Sequence, residues 1–150
     1  MTDECIAILA DSKLFSGFSP EQLEEVILHL NPKSITYEDN RQVYWKGEIA
    51  DRCWLIQSGK LIYKKSSDLR SPYMTLKKGS VTGMRGLVDP GSKHDITMTT
   101  DGKAKLIEIT HEGIANLSMD TQCLLWRNVS KQLMRKLTIC LAQETLDHLA

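Results

Sequence analysis

Apolar and polar positions follow three different rhythms along the chain. At the N-terminus Cys5, Ile6, Ile8 and Leu9 recur at helical spacing, and Leu23, Val26, Ile27 and Leu30 share one face at a period of 3.6. The second helix has a defined start: Ser19 as N-cap, Pro20 at the first helical position and Gln22 three residues after the cap. Asn31-Pro32 ends it, because proline disfavours helical geometry in the residue before it. From residue 33 the rhythm shortens to two. "KSITY", "RQVYW", "CWLIQ", "KLIYKKS", "YMTLKK", "HDITMTT" and "AKLIEIT" alternate and are rich in β-branched and aromatic residues. Turn formers separate them, among them Lys46-Gly47, Ser58-Gly59, Lys78-Gly79, Asp89-Pro90-Gly91 and Asp101-Gly102. After Gly113 there is neither Gly nor Pro, and a long helix is expected from near Ser118 or Asp120.

These rhythms predict a mainly β fold with flanking α segments. Residues 1–32 form N-terminal helices, 33–110 an eight-stranded antiparallel jelly roll, and 112–150 a C-terminal helical segment, all in a single domain spanning 1–150. "KKSSDLRSPY" reads as a hairpin loop between strands. On the long helix Trp126, Val129, Leu133, Leu137 and Cys140 fall on one stripe, widened by Leu125, Met134, Leu141 and Leu146. So wide an apolar face exceeds what one small roll covers, and the stripe is expected to form a homodimer seam.

Composition narrows the function classes. The chain has 150 residues, 19 Lys+Arg against 19 Asp+Glu, so no global field draws in nucleic acid or an anionic membrane. No apolar run approaches the ~20 residues of a membrane span. "MTDECIAILADSK" lacks the basic flank and cleavage site of a signal peptide, and the expected location is cytoplasmic. Cys5, Cys53, Cys123 and Cys140 show no CxxC or zinc spacing, and Cys5, Cys53 and Cys140 fit apolar patterns as buried thiols. GxSxG, HExxH, GxGxxG and a Walker loop are all missing, so no catalytic residue is nominated and an enzyme is not expected.

The order of elements, together with three stretches, resembles the cyclic-nucleotide-binding domain found as the sensor half of CRP/FNR-type transcription regulators. "LFSGFSPEQLEEV" at 14–26 is similar to the family's entry helix. "YWKGEIADRCWLIQSGKLIYKK" at 44–65 is similar to its glycine-pinned strands, with Gly47 and Gly59 at the turns. "LKKGSVTGMRGL" at 76–87 matches the approach to its phosphate-binding loop. The likeness runs from about residue 12 to 148. It implies a ligand loop over 83–95: Gly83, Met84, Arg85, Gly86, Lys93, His94 and Asp95. Leu61, Leu76 and Met98 would close the pocket.

The loop departs from the family pattern. The family places a Glu after the loop glycine for the ribose hydroxyl, and an Arg followed by a small residue at the phosphate. Here Met84 follows Gly83, the clamp falls on His94 or Lys93, and Asp95 comes next. Met84 offers no acceptor and a neutral His no guanidinium fork. A carboxylate ~4 Å from a phosphate costs several kcal/mol where the pair is poorly solvated. Arg85, Lys93 and the Gly83–Gly86 backbone amides still suit some other anion. The expectation is a non-catalytic sensor that does not take cAMP or cGMP in the usual way and signals through its dimer helix. Three alternatives stay open: the effector domain of a longer DNA-binding regulator sensing an anion, a haem or redox sensor using His94, His111, Cys53 or Cys123, and a ligand-free structural dimer. The helix-turn-helix of DNA-binding members would begin where this sequence stops, at Ala150, so these residues alone are not expected to bind nucleic acid. No cofactor or metal is predicted; an effector, if bound, is an unassigned small molecule.

Overall fold

The computed structural model describes residues 3–64 and 73–149; side chains are described to residue 142, apart from those of 64 and 73. Helix α1 (Asp3–Ala10) and a 3-10 turn (Lys13–Phe15) lead into α2 (Pro20–Leu30). The predicted capping box is formed: Ser19 Oγ accepts from Gln22 N at 3.2 Å and Gln22 Oε1 accepts from Ser19 N at 2.9 Å. Asn31 closes α2 in the left-handed conformation, φ 44°.

Six antiparallel strands follow: β1 (Lys33–Tyr37), β2 (Gln42–Tyr44), β3 (Arg52–Lys64), β4 (Tyr73–Leu76), β5 (Val81–Thr82) and β6 (Met98–Thr110). Their order is β1-β6-β3-β4, with β2 on β6 and β5 on β3. Among the described residues the expected eight strands are therefore corrected to six. "CWLIQ" and the first five residues of "KLIYKKS", 60–64, are one strand, and "HDITMTT" from Met98 onward is one strand with "AKLIEIT". The glycines bend these ribbons without ending them. Gly59 (φ +85°) sits where the β3–β6 register shifts, and a Cβ there would lie 2.5 Å from the Lys103 carbonyl oxygen. The hairpin loop expected at "KKSSDLRSPY" lies outside the described residues, apart from the strand ends Lys64 and Tyr73 that flank it.

Strand alternation divides the apolar residues between two cores. Cys53, Leu55, Ile107 and Ile109 face the helices with Leu14, Phe15, Leu23, Val26 and Leu30. Trp54, Ile56, Leu61, Ala104 and Leu106 face the inside of the roll with Tyr44 and Met98. Both faces of β3 and β6 are thus covered, which is why "CWLI" at 53–56 is continuously apolar.

Helix α3 (Arg85–Val88) follows β5, and the chain ends in the 31-residue α4 (Met119–Leu149). Glu25 on α2 anchors the start of α4, accepting from Ser118 N at 2.7 Å, Ser118 Oγ at 3.1 Å and Thr121 Oγ1 at 2.5 Å. Buried Asn128 donates through Nδ2 to the carbonyls of Leu14 and Ser16, both at 2.9 Å. Beyond Ser130 the helix no longer contributes buried residues to the core, and from 131 to 142 every residue is exposed or half-buried.

This geometry revises the expected seam. Val129 is 2% exposed inside the helix-facing core, and Trp126 packs against the same core. Both are held by their own domain and leave Leu133, Leu137 and Cys140 on the open face, beside Met134, Ile139 and Leu141. The thiols also differ from expectation. Only Cys53 is buried; Cys5 is half-buried, and Cys123 and Cys140 are exposed because they lie on the outward side of α4.

Candidate functional site

The loop at 83–95 is built on β3. Strand β5 pairs Thr82 with Trp54 and Val81 with Leu55. Gly83 (φ +76°) then turns the chain directly over the indole, where a Cβ would come within 2.8 Å of the Trp54 ring. One turn later Gly86 lies on the β3 backbone: a Cβ would stand 2.2 Å from the Arg52 carbonyl oxygen. Both positions require glycine because of these close approaches. The return arm is tied to the segment before β3. Gly91 N donates to Ala50 O at 2.8 Å, Ala50 N to Ser92 O at 2.7 Å, His94 N to Glu48 O at 2.9 Å and Gly47 N to His94 O at 2.8 Å.

That arm delivers His94 into the mouth of the roll. Its ring stacks on Tyr44 at 4.1 Å between centroids, with Trp54 behind at 6.2 Å. Tyr44 is itself stacked on Trp54 at 5.2 Å, and its hydroxyl meets Thr82 Oγ1 at 2.5 Å. Burial pushes the Tyr44 phenol up to about 12. His94 is 5% exposed, and burial holds its imidazole below its ordinary value, which favours the neutral ring.

The other expected loop residues take separate places. Met84 is buried in the helix-facing core beside Leu87, away from the His94 stack. Arg85 is ion-paired with Asp95. Lys93 is exposed and bridges to Ile49 through its backbone. Leu61, Met98 and Leu76, expected to close the pocket, pack in the core inside the roll and do not line the cavity at its mouth. Of the side chains foreseen as a pocket face, only His94 reaches the cavity at the mouth.

That cavity measures about 250 Å³ and is lined by Tyr37, Val43, Glu48, Ile49, Asp51, Arg52, Trp54, His94 and Glu108. Arg52 organises one wall. It grips Asp51 with Nε at 2.7 Å and Nη2 at 3.1 Å, and Nη1 pairs with Glu108. Trp54 Nε1 donates to the other Glu108 oxygen at 3.3 Å. The Arg52 guanidinium holds the Asp51 carboxyl below the usual carboxylate range. Burial, then the Glu108 charge, pushes the Tyr37 phenol up. Three carboxylates against one guanidinium leave the lining with a formal excess of two negative charges.

The family profile for the cyclic nucleotide-binding domain matches residues 34–121, more than half of the chain. The chain belongs to the cyclic nucleotide-binding domain family. Solved structures with the same fold include a putative cyclic nucleotide-binding protein from Geobacter metallireducens (15% identity, TM-score 0.71, 91% of this chain and 99% of that one). The N-terminal domain of a Streptomyces coelicolor transcriptional regulator is similar at 21% identity and TM-score 0.70, covering 89% and 94%. The Thermus thermophilus catabolite activator protein is similar at 22% identity and TM-score 0.68, covering 92% of this chain and 63% of that one. A search of curated protein sequences found no match. The chain shares the fold of these solved structures, the N-terminal domain of a bacterial transcriptional regulator among them.

Within this cyclic nucleotide-binding domain the conceivable haem or metal ligands are dispersed. Cys53 is fully buried on the helix side of β3, with burial pushing its thiol up to about 12, while its neighbour Trp54 points to the His94 side. Cys123 is exposed on α4. Among the described residues no group of three or more His, Cys, Asp or Glu is placed to hold a metal ion. No described helix is long and apolar enough to cross a membrane.

The Asp51–Arg52–Glu108 wall went unnoticed in the sequence. One signal was present: Glu108 interrupts the apolar run "LIEI" on a strand covered on both faces, and a charge there needs a partner.

Proposed function

We propose that this chain is a non-catalytic regulatory module that does not take cAMP or cGMP in the usual way and passes its signal through a dimer formed on α4. The observation that carries this reading is His94. Where the family directs a guanidinium at a cyclic phosphate, this chain inserts a neutral imidazole stacked on Tyr44. Around it Met84 is withdrawn into the core, Arg85 is neutralised by Asp95, and the remaining cavity is net negative. A cyclic phosphate entering this mouth would meet like charge and would need the ring stack dismantled.

The signalling half rests on two features. Leu133, Met134, Leu137 and Leu141 leave an apolar face on the outer half of α4. Lys136 reaches back from the same segment, donating through Nζ to the Val81 carbonyl at 3.0 Å, two residues before Gly83. A change at the 83–95 loop and a shift of the helix would therefore share one contact. The likeness to regulator N-terminal domains favours a second reading that is compatible with the first: this module is the effector half of a DNA-binding regulator. Calorimetric titration with cAMP and with cGMP tests the proposal. No binding in the micromolar range is expected; micromolar binding of either nucleotide overturns it.

A further inference from the structure

The cavity behind His94 is more than a closed nucleotide site, because its walls have a coherent chemistry of their own. Glu48 uses Oε2 to accept from Trp45 N at 3.2 Å, and its other oxygen has no hydrogen-bond partner among the described residues. Asp51 and Glu108 share the single Arg52 guanidinium, so that with Glu48 the lining carries two negative charges in excess. Tyr37 and Trp54 supply aromatic surface to the same lining. His94 provides the independent observation. The residue is 5% exposed, it lines the cavity, and its ring nitrogens have no hydrogen-bond partner among the described residues. Among the described residues no buried side-chain polar atom is stranded without a partner, so the nitrogens of this cavity-lining residue are not sealed in the core. A neutral imidazole held there presents one nitrogen as an acceptor.

We propose that this cavity binds a small organic cation carrying a primary ammonium or guanidinium group, held by Glu48 and the His94 ring nitrogen against the Tyr37 and Trp54 rings, within the excess negative charge of the lining. Carboxylates and aromatic faces together suit a polarisable cation with several N–H donors. A bare metal ion fits less well, because Arg52 already engages two of the three carboxylates and no metal-holding cluster exists among the described residues. At about 250 Å³ the space lies just below the ~300–1,000 Å³ of sites for drug-sized molecules, so the ligand is small. This inference rests on the reading that the mouth no longer serves a cyclic nucleotide in the usual way.

The test uses agmatine, which carries both cationic groups, with acetate, magnesium chloride and cAMP as comparison titrants. Binding is followed on the wild-type chain by NMR at the Trp54 indole N–H and the His94 ring. Agmatine is expected to shift both signals saturably, and acetate neither. Glu48→Gln and His94→Phe, the latter keeping an aromatic ring for the Tyr44 stack, are each expected to weaken binding about tenfold or more, the loss of one charge-assisted contact. Thermal melts verify that the variants fold; should either fail to fold, the wild-type shift map decides alone. The inference is overturned if agmatine shifts neither signal, if folded variants bind it unchanged, or if only magnesium shifts them. If cAMP shifts them saturably and agmatine does not, the underlying reading falls as well. If neither binds, only the cation site falls.

Discussion

Truncating Leu137 to alanine should separate dimer strength from domain stability. In the isolated protomer Leu137 is 60% exposed on α4, so its side chain does little for its own fold. Burying a whole Leu side chain contributes roughly 1.5–3 kcal/mol. Covering the remaining three-fifths against a second copy then contributes about 1–2 kcal/mol per protomer. In a twofold dimer the contact occurs twice, so Leu137→Ala is expected to cost about 2–4 kcal/mol, a weakening of the dimer of roughly 30- to 1,000-fold. Sedimentation equilibrium over a dilution series measures this directly. Circular dichroism melts at a concentration where both proteins are monomeric should show nearly equal midpoints. A wild-type chain that stays monomeric at high concentration, or a variant that dimerises as tightly as wild type, would refute the assignment of this face to a second copy.

Two further outcomes test the architecture beneath the site. Asn128→Ala removes both donors to the Leu14 and Ser16 carbonyls in a buried position, and should lower unfolding stability by about 1–3 kcal/mol in urea titration; a loss under a few tenths would mean that water replaces the amide at no cost. Glu25 has its carboxyl held below the ordinary value, first by the Thr121 hydroxyl and then by the Ser118 amide. A depressed folded value means that its stabilisation is present above the ordinary Glu range and is lost as pH falls through the folded value. The melting-temperature gap between wild type and Glu25→Gln should therefore be widest near neutrality and shrink on acidification. A gap that stays constant with pH would show that charge at Glu25 plays no part in anchoring α4.

Local signals were legible where a short piece of chain settles its own conformation. Ser19, Pro20 and Gln22 specify the start of α2 because every hydrogen bond of the capping box closes within four residues. Strand positions were legible for the same reason, since alternation is a property of one segment. The strand count was not, because whether Gly59 ends a strand or bends one depends on the Lys103 carbonyl lying against it from β6.

The site divides along the same line. The sequence by itself determined which side chains residues 83–95 carry: Met84, His94 and Asp95 are visible without coordinates. Only the tertiary structure decided where those side chains go. It placed Val129 inside the domain and Leu137 outside it, although the two share a stripe, because the roll ends before the helix does. It also joined Glu48, Asp51, Arg52 and Glu108 around His94 from the turn before β3, from β3 itself and from β6. The net charge of a cavity is a sum over residues that the chain keeps far apart, and no local pattern carries that sum.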